Sequence, residues 1–243
     1  MTLNHYYRHF RESLYRIYNQ NESSKIAEMI FEHYMNITKS HVIQYAEQTI
    51  TEEDEARMNL ILERLSSNEP VQYIIGEAWF FDLKFKVNKS VLIPRPETEE
   101  MVKLVLDHLE TKNSVHKIID IGTGSGCIPV AIKKNHSSAI ITALDFSKDA
   151  LEVAKFNAKL NEVDINFQQM DFLNEKKIIL NFQTLTYLLA FNLASLNFRN
   201  FSFIEDNSKT YFEGHLDRLL IMKDRCIKYN NQKLLEQIEK DEE

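Results

Sequence analysis

The feature that most restricts how this chain can fold is a glycine-rich turn at residues 120–126, Asp-Ile-Gly-Thr-Gly-Ser-Gly. The apolar pair Ile118 and Ile119 precedes the turn, and an apolar segment that begins at Cys127 follows it. This order predicts a strand, a tight turn and a helix. Glycine adopts the backbone angles of a tight turn and lets a ligand lie close, while free N–H groups at the helix start face that ligand. The turn therefore predicts a loop that binds a nucleotide-like ligand.

Two further apolar runs follow the turn, and each leads to a carboxylate. The run 139–144 is followed by Asp145, and the run that begins at Asp164 leads to Asp171. Ser147 is placed to cap an intervening helix. Alternating strands and helices predict a parallel α/β sheet of Rossmann-like type, whose ligands bind at the carboxyl ends of the strands. Both acids are therefore expected at the ligand-binding edge.

Residues 1–70 have a different pattern. Apolar residues recur at helical spacing, Thr51 is placed to cap the last helix, and glycine is absent. We predict a small helical bundle here. His5 and His9 stand four residues apart, but Tyr6 occupies the position where a metalloprotease motif has its glutamate. No metal site is predicted.

Residues 71–96 are predicted to be a β-hairpin linker. The aromatic stretch Val71–Phe81 lacks helical period, and we interpret it as extended. Apolar residues alternate with lysines over Leu83–Val87, which is typical of a half-exposed strand. Asn88–Ser90 is then expected to be a turn, and Val91–Ile93 the returning strand.

The predicted organisation is a bundle at 1–70, a hairpin linker at 71–96 and an α/β domain at 97–243, within which 176–243 is atypical. Average usage would give roughly eight glycines and six prolines from residue 130 onward. The sequence has only Gly214 and no proline there. The sheet is therefore expected to be incomplete or altered in this part.

Composition indicates which classes of binding partner and which cellular compartment to expect. The formal net charge of -7 argues against a protein that binds nucleic acid by broad phosphate neutralisation. Cys127 and Cys226 are the only cysteines, so no disulfide framework is predicted. There is no basic-then-apolar start and no run of about 18 apolar residues. We expect a cytoplasmic monomer without membrane or direct nucleic-acid partners.

Two cofactor classes place a glycine turn after one strand and a carboxylate after the next. A dinucleotide site uses Gly-x-Gly-x-x-Gly, whereas here an acid precedes the first glycine and the third glycine comes one position earlier. This spacing favours S-adenosylmethionine, and a nicotinamide-dependent dehydrogenase is the alternative. Asp145 would accept hydrogen bonds from the ribose hydroxyls, and Asp171 with Phe172 would contact the adenine. The residues expected to cradle the amino-acid end of the cofactor are Gly122, Thr123, Gly124, Ser125 and Gly126.

Four segments together resemble the release-factor glutamine N5-methyltransferases. They are Gln-Tyr-Ile-Ile-Gly at 72–76, the alternating segment Phe80–Val87, the Pro-Arg-Pro-Glu-Thr-Glu string within Val91–Glu99, and the turn at 120–126. The similarity covers residues 1 to about 175.

The resemblance implies an activity and a set of site residues. The activity is methyl transfer from S-adenosylmethionine to the side-chain amide N5 of the glutamine in the Gly-Gly-Gln motif of class I peptide chain release factors. The resemblance also implies that Gly122–Gly126, Asp145 and Phe172 contact the cofactor. Arg95, Glu97 and Thr98 would line the substrate entrance, and the N-terminal bundle would help to dock the release factor.

The sequence departs from that family at one motif. The family carries Asn-Pro-Pro-Tyr at the end of its fourth strand, and this sequence has no Pro-Pro. An amide nitrogen is a poor nucleophile because its lone pair is delocalised, and the motif's oxygens orient the amide and stabilise its developing charge. Asn192 is the nearest candidate for the motif's asparagine. The alternative hypothesis is a catalytically inactive, altered or frame-shifted family member that at most binds S-adenosylmethionine.

Overall fold

The structure, a computed structural model, describes residues 1–110 and 116–171 together with the backbone of Leu185–Ala190. The chain divides into two compact units, Met1–Glu77 and Ala78–Glu243. In the described part of the chain, no helix combines the length and the apolar character needed to cross a membrane.

The first unit is helical, as predicted. Its elements are α1 (Leu3–Ser13), a 3-10 turn (Leu14–Arg16), α2 (Gln20–Met35), α3 (Lys39–Gln44), α4 (Glu52–Ser66) and α5 (Val71–Ile75). The hydroxyl of Thr51 accepts a hydrogen bond from the Asp54 N–H at 3.1 Å, which confirms the predicted cap of α4. The core is built around Phe31, whose ring centre lies 5.0 Å from that of Tyr7 and 5.5 Å from that of Phe10.

Helix α5 corrects the interpretation of Val71–Phe81 as extended throughout. The N–H groups of Tyr73 and Ile74 donate to the Pro70 carbonyl at 3.0 and 3.2 Å, and the Gly76 N–H donates to the Gln72 carbonyl at 2.8 Å. Gly76 ends the helix with a φ of 80°. The short helix buries Val71 and Ile74 against the bundle core, and this packing outweighs the β propensity of the segment.

A hairpin is present in the predicted linker, but its strands and its turn are not the predicted ones, since Leu83–Val87 was expected to pair with Val91–Ile93 through a turn at Asn88–Ser90. It consists of β1 (Glu77–Phe80) and β2 (Leu83–Lys86), and Val91–Ile93 is not a strand. The Val91 N–H donates to the Asn88 carbonyl at 3.1 Å, a local turn bond that takes the place of a ladder bond. The Asn157 side chain forms hydrogen bonds with both the N–H and the carbonyl of Lys86. These two backbone groups are therefore not free to pair with a returning strand.

The turn of this hairpin uses two residues that rarely adopt its conformation. Phe81 and Asp82 have φ angles of 52° and 59°, the region that glycine and asparagine prefer in two-residue hairpins. The Phe81 N–H donates to the Glu99 carboxylate at 2.9 Å. This bond and the packing of the Phe81 ring on the core hold the turn in place.

The second unit contains the predicted parallel α/β sheet. Its elements after the hairpin are α6 (Pro96–Glu110), β3 (Lys117–Ile121), α7 (Cys127–Asn135), β4 (Ile140–Asp145), α8 (Lys148–Leu160), β5 (Asn166–Gln169) and β6 (Leu185–Ala190). The strand order is β5-β4-β3-β6, and every pair is parallel. Ile121 lies opposite both Leu144 and Ala190, so three strands end at one level. The chain order changes direction between β3 and β6, which is where open α/β sheets bind their ligands.

The hairpin turn generates a prediction about stability. Because a side chain at positive φ costs free energy that glycine avoids, Asp82→Gly should raise the free energy of unfolding by about 0.5–1 kcal/mol. Asp82→Ala is the control, since it removes the same carboxylate but keeps a Cβ atom. Denaturant unfolding measures both, and an equal effect of the two substitutions would contradict the explanation.

Candidate functional site

The glycine-rich loop connects β3 to α7 and is fixed to the neighbouring strand. The N–H groups of Gly122 and Thr123 both donate to the Leu144 carbonyl at 2.9 Å, and the Gly126 N–H donates to the Thr123 carbonyl at 2.9 Å. These loop N–H groups therefore already donate hydrogen bonds within the protein. A ligand at this loop would meet a rigid backbone and the side chains around it.

The three glycines have different physical roles. Gly122, Gly124 and Gly126 have φ angles of 73°, 54° and 75°, which other residues rarely adopt. A Cβ atom at Gly122 would meet nothing within 4 Å, whereas one at Gly126 would lie 3.1 Å from the Ala154 Cβ. Gly122 thus faces open space, and Gly126 permits close packing of the loop against α8.

Asp120 is a buried carboxylate at the end of β3. It is 1% exposed, and neither of its oxygens has a hydrogen-bond partner in the described part of the chain. Burial raises the pKa of this carboxyl to about 7, the nearby Thr123 hydroxyl opposes the rise, and the charge of Asp145 adds to it. The Thr123 hydroxyl is likewise buried without a well-oriented partner. Burying an acceptor of this kind costs free energy unless a donor forms a hydrogen bond with it.

Asp145 ends β4 and is tied to the loop. Its Oδ2 accepts from the Gly124 N–H at 2.8 Å, and its Oδ1 accepts from the Ser147 N–H at 2.9 Å. Ser147 also caps α8 as predicted, because its Oγ accepts from the Ala150 N–H at 3.2 Å. A carboxylate has about four lone-pair positions, so Asp145 can accept further hydrogen bonds from a ligand.

Phe146 follows Asp145 and has a 69% exposed side chain, and the sequence did not identify it as a site residue. The Met170 N–H donates to the Asp145 carbonyl at 2.9 Å, and the Gln169 amide donates to the Phe146 carbonyl at 3.0 Å. The residues just before Asp171 therefore lie beside the end of β4. An apolar run followed by an acid and an aromatic residue was the signal that could have identified Phe146.

Asn157 of α8 was also missed. Its side chain is fully buried and donates to the Ser125 carbonyl of the loop at 2.9 Å. A polar residue within a helix is usually exposed, so periodicity alone gave no signal for it.

The other predicted site residues belong to the proposed substrate entrance or to the acceptor and adenine sites. Arg95 and Glu97 are exposed near the start of α6, whereas Thr98 is 2% exposed and its N–H donates to the Arg95 carbonyl at 2.9 Å. Their role at a substrate entrance stays a prediction. Phe172 and Asn192 lie outside the described residues.

Cys127 begins α7 directly after the loop. The thiol is buried, and burial raises its pKa to about 12. It is therefore protonated at neutral pH and does not act as a thiolate nucleophile. Within 1–110 and 116–171, no group of three or more His, Cys, Asp or Glu residues is arranged to hold a metal ion.

Comparison with known proteins connects this geometry to a family. Residues 6–76 match the PrmC N-terminal domain, and residues 95–182 match the methyltransferase small domain. The release factor glutamine methyltransferase of Streptococcus pneumoniae is 38% identical over 177 residues, and that of Flavobacterium psychrophilum is 35% identical over 180 residues. Over roughly its first 180 residues, this chain belongs to the release factor glutamine methyltransferase family.

The similarity to the family is partial in length. The two alignments cover 72% and 73% of this chain but only 61% and 63% of the relatives. The chain therefore matches just over three fifths of each of these family members.

Solved structures with similar folds include two that were determined in complex with S-adenosyl-L-homocysteine. The tRNA (uracil-54, C5)-methyltransferase of Pyrococcus abyssi is 18% identical with a TM-score of 0.35, covering 43% of this chain and 25% of that one. The N-terminal domain of human METTL16 is 21% identical with a TM-score of 0.34, covering 45% and 46%. Each likeness involves less than half of this chain.

The burial of Asp120 predicts how stability depends on pH. The native pKa of about 7 exceeds the ordinary value of 3.8, so between these values the native state holds a proton that the unfolded state lacks. The free energy of unfolding therefore falls as pH rises from about 4 to about 7. Asp120→Asn should remove this contribution, which is at most roughly 4 kcal/mol, and should stabilise the protein more at pH 8 than at pH 4.

Thermal unfolding of both proteins at the two pH values measures the effect. Asp149→Asn is the matched control because Asp149 is exposed in the first turn of α8. Parallel pH profiles for the wild type and Asp120→Asn would contradict the explanation.

Proposed function

We propose that this chain binds S-adenosylmethionine and methylates the side-chain amide N5 of the glutamine in the Gly-Gly-Gln motif of class I peptide chain release factors. The observation that carries the proposal is the buried carboxylate of Asp120, which has no hydrogen-bond partner among the described residues and lies beside a glycine loop in a chain of this family. The relatives are named release factor glutamine methyltransferases, which supports a release-factor glutamine as the substrate.

The residues at the carboxyl edge of the sheet fit the cofactor. Its amino-acid end carries an ammonium group with three N–H donors, and Asp120 offers two unused acceptor oxygens. The open space at Gly122 leaves room for that end against the loop. Asp145 would accept from the ribose hydroxyls. When bound, S-adenosylmethionine supplies an electrophilic methyl group that the acceptor nitrogen takes up as it loses a proton.

The adenine would lie near the ends of β4 and β5. The exposed ring of Phe146 gives it an apolar face to stack on, and Asp171 would contact its edge. Phe172 is proposed for the same ring.

The acceptor amide would lie on the other side of the switch between β3 and β6. Asn192 follows the end of β6 by two positions in the sequence, and β6 pairs with β3 so that Ala190 lies opposite Ile121. We assign Asn192 to accept a hydrogen bond from the glutamine amide, which would aim its nitrogen and stabilise the charge that develops on it.

The rest of the chain would bring the release factor to this site. Arg95 and Glu97, both exposed, and Thr98 would line the entrance. We propose a bundle at 1–70 that docks the release factor, a hairpin linker at 71–96 and a catalytic domain at 97–243. The match of residues 6–76 to the PrmC N-terminal domain supports a specific role for the bundle.

A second candidate function is cofactor binding without methyl transfer. It is favoured by the lack of any Pro-Pro pair in the sequence, since a proline carbonyl beside the asparagine supplies the second acceptor for the amide. Such a chain would keep the loop, Asp120 and Asp145 and would still bind S-adenosylmethionine.

Calorimetric titration with S-adenosylmethionine tests the cofactor site. The wild type should bind, and Asp145→Ala should weaken binding at least about tenfold, because it removes a charged acceptor for the ribose and the bond that holds Gly124. Asp149→Ala should bind like the wild type. Binding of a nicotinamide dinucleotide in place of S-adenosylmethionine would instead identify a dehydrogenase.

A methyl-transfer assay separates the two candidate functions. A release factor with an intact Gly-Gly-Gln motif should gain one methyl group by mass, and a variant with alanine in place of that glutamine should gain none. Asn192→Ala should slow transfer about 100-fold or more while leaving cofactor affinity unchanged. Cofactor binding with no transfer at saturating substrate would favour the second candidate.

A further inference from the structure

The hairpin and the glycine loop are joined through one side chain. The Asn157 Oδ1 accepts from the Lys86 N–H at 2.7 Å, and its Nδ2 donates to the Lys86 carbonyl at 2.9 Å. The same Nδ2 donates to the Ser125 carbonyl at 2.9 Å. One side-chain amide thus forms hydrogen bonds with the backbone of a β2 residue and with the backbone of a loop residue.

A second asparagine extends the contact with β2. The Asn161 amide donates to the Lys84 carbonyl at 3.0 Å. Four residues along a helix advance about 6 Å, and two residues along a strand advance about 6.6 Å. The spacing of Asn157, within α8, and Asn161, directly after its last residue, therefore matches that of Lys86 and Lys84 on β2. Helix α8 binds the strand in register.

The contact with Ser125 fixes one peptide of the loop at both ends. Asn157 holds the Ser125 carbonyl, and the N–H of the same peptide, on Gly126, donates to the Thr123 carbonyl at 2.9 Å. A rotation of this peptide would therefore break a hydrogen bond on each side. Because Gly126 also packs on Ala154, α8 sets the position of the loop.

We propose that Asn157 is a positioning residue that couples cofactor binding at the loop to the hairpin and so to the segment leading toward Arg95. A ligand that stabilises the loop conformation keeps the Ser125 carbonyl in position to accept the hydrogen bond from Asn157. That bond in turn keeps the Asn157 amide in contact with Lys86. The hairpin is then more firmly docked when the loop is occupied. The inference rests on the proposed cofactor site and adds a link from that site to the hairpin.

Hydrogen exchange of the wild type tests this coupling without a substitution. Saturating S-adenosylmethionine should slow amide exchange in the segment 83–87, where the Lys86 N–H is bonded to Asn157, by at least about threefold. It should leave the exchange of the exposed turn Asn88–Ser90 unchanged. Trp79, the only tryptophan and a residue of β1 with a 69% exposed side chain, reports on the same hairpin by fluorescence.

Two matched substitutions separate positioning from general packing. Asn157→Asp removes the amide donor to Ser125 and Lys86 and keeps the shape of the side chain. Because the Ser125 carbonyl of the loop then loses its donor, this variant should bind S-adenosylmethionine about tenfold more weakly and should lose the response at 83–87. Asn161→Asp removes a donor to β2 but no contact with the loop, so it should change the affinity less than about twofold.

The outcomes distinguish this inference from the proposed function. Cofactor binding by the wild type without any change at 83–87 or at Trp79 would overturn the coupling. Equal losses of affinity in the two variants, or none in Asn157→Asp, would do the same. Failure of the wild type to bind S-adenosylmethionine would overturn the proposed function itself.

Discussion

The constraint on which the candidate site depends is the carboxylate of Asp120, which is buried and has no hydrogen-bond partner among the described residues. A buried acid without a well-oriented donor lowers stability; here the Thr123 hydroxyl opposes that cost and the neighbouring Asp145 adds to it. The same two acids make the edge of the sheet favourable for a cation. We propose that an ammonium group bound here would offset the cost of burial, so that the site would favour a positively charged ligand over a neutral or anionic one.

The surroundings keep this carboxylate in place by holding the loop rigid. The loop bonds to β4 through the Leu144 carbonyl, to Asp145 through the Gly124 N–H, and to α8 through Asn157. Since these contacts use backbone groups, they hold the loop without depending on most of its side chains. The geometry is formed before a ligand arrives, which reduces the entropy that binding must overcome.

Local signals in the sequence were enough to predict much of the fold. Thr51 and Ser147 were identified as helix caps because capping depends on residues three positions apart, and the glycine turn identified the strand-to-helix junction. Features set by distant contacts were not predictable in this way. The turn at Phe81 and Asp82 has neither glycine nor asparagine and depends on Glu99, and the burial of Asn157 depends on a strand 71 positions earlier.

The candidate site was predictable to a similar extent. The sequence placed Gly122–Gly126 and Asp145 next to one another, because both follow strands that end at one edge of a sheet. It could not show that Asp120 has no hydrogen-bond partner among the described residues or that Gly126 packs closely on Ala154, since both depend on contacts between distant parts of the chain. The roles of Phe172 and Asn192 stay predictions outside the described residues.

The most direct test of this account is the affinity of Asp120→Asn for S-adenosylmethionine at pH 8, compared with that of the wild type. Asparagine has nearly the same shape but carries no charge, so the account predicts a more stable protein that binds at least about tenfold more weakly. Equal affinity in the two proteins would show that the buried carboxylate does not hold the cofactor and would contradict the central claim.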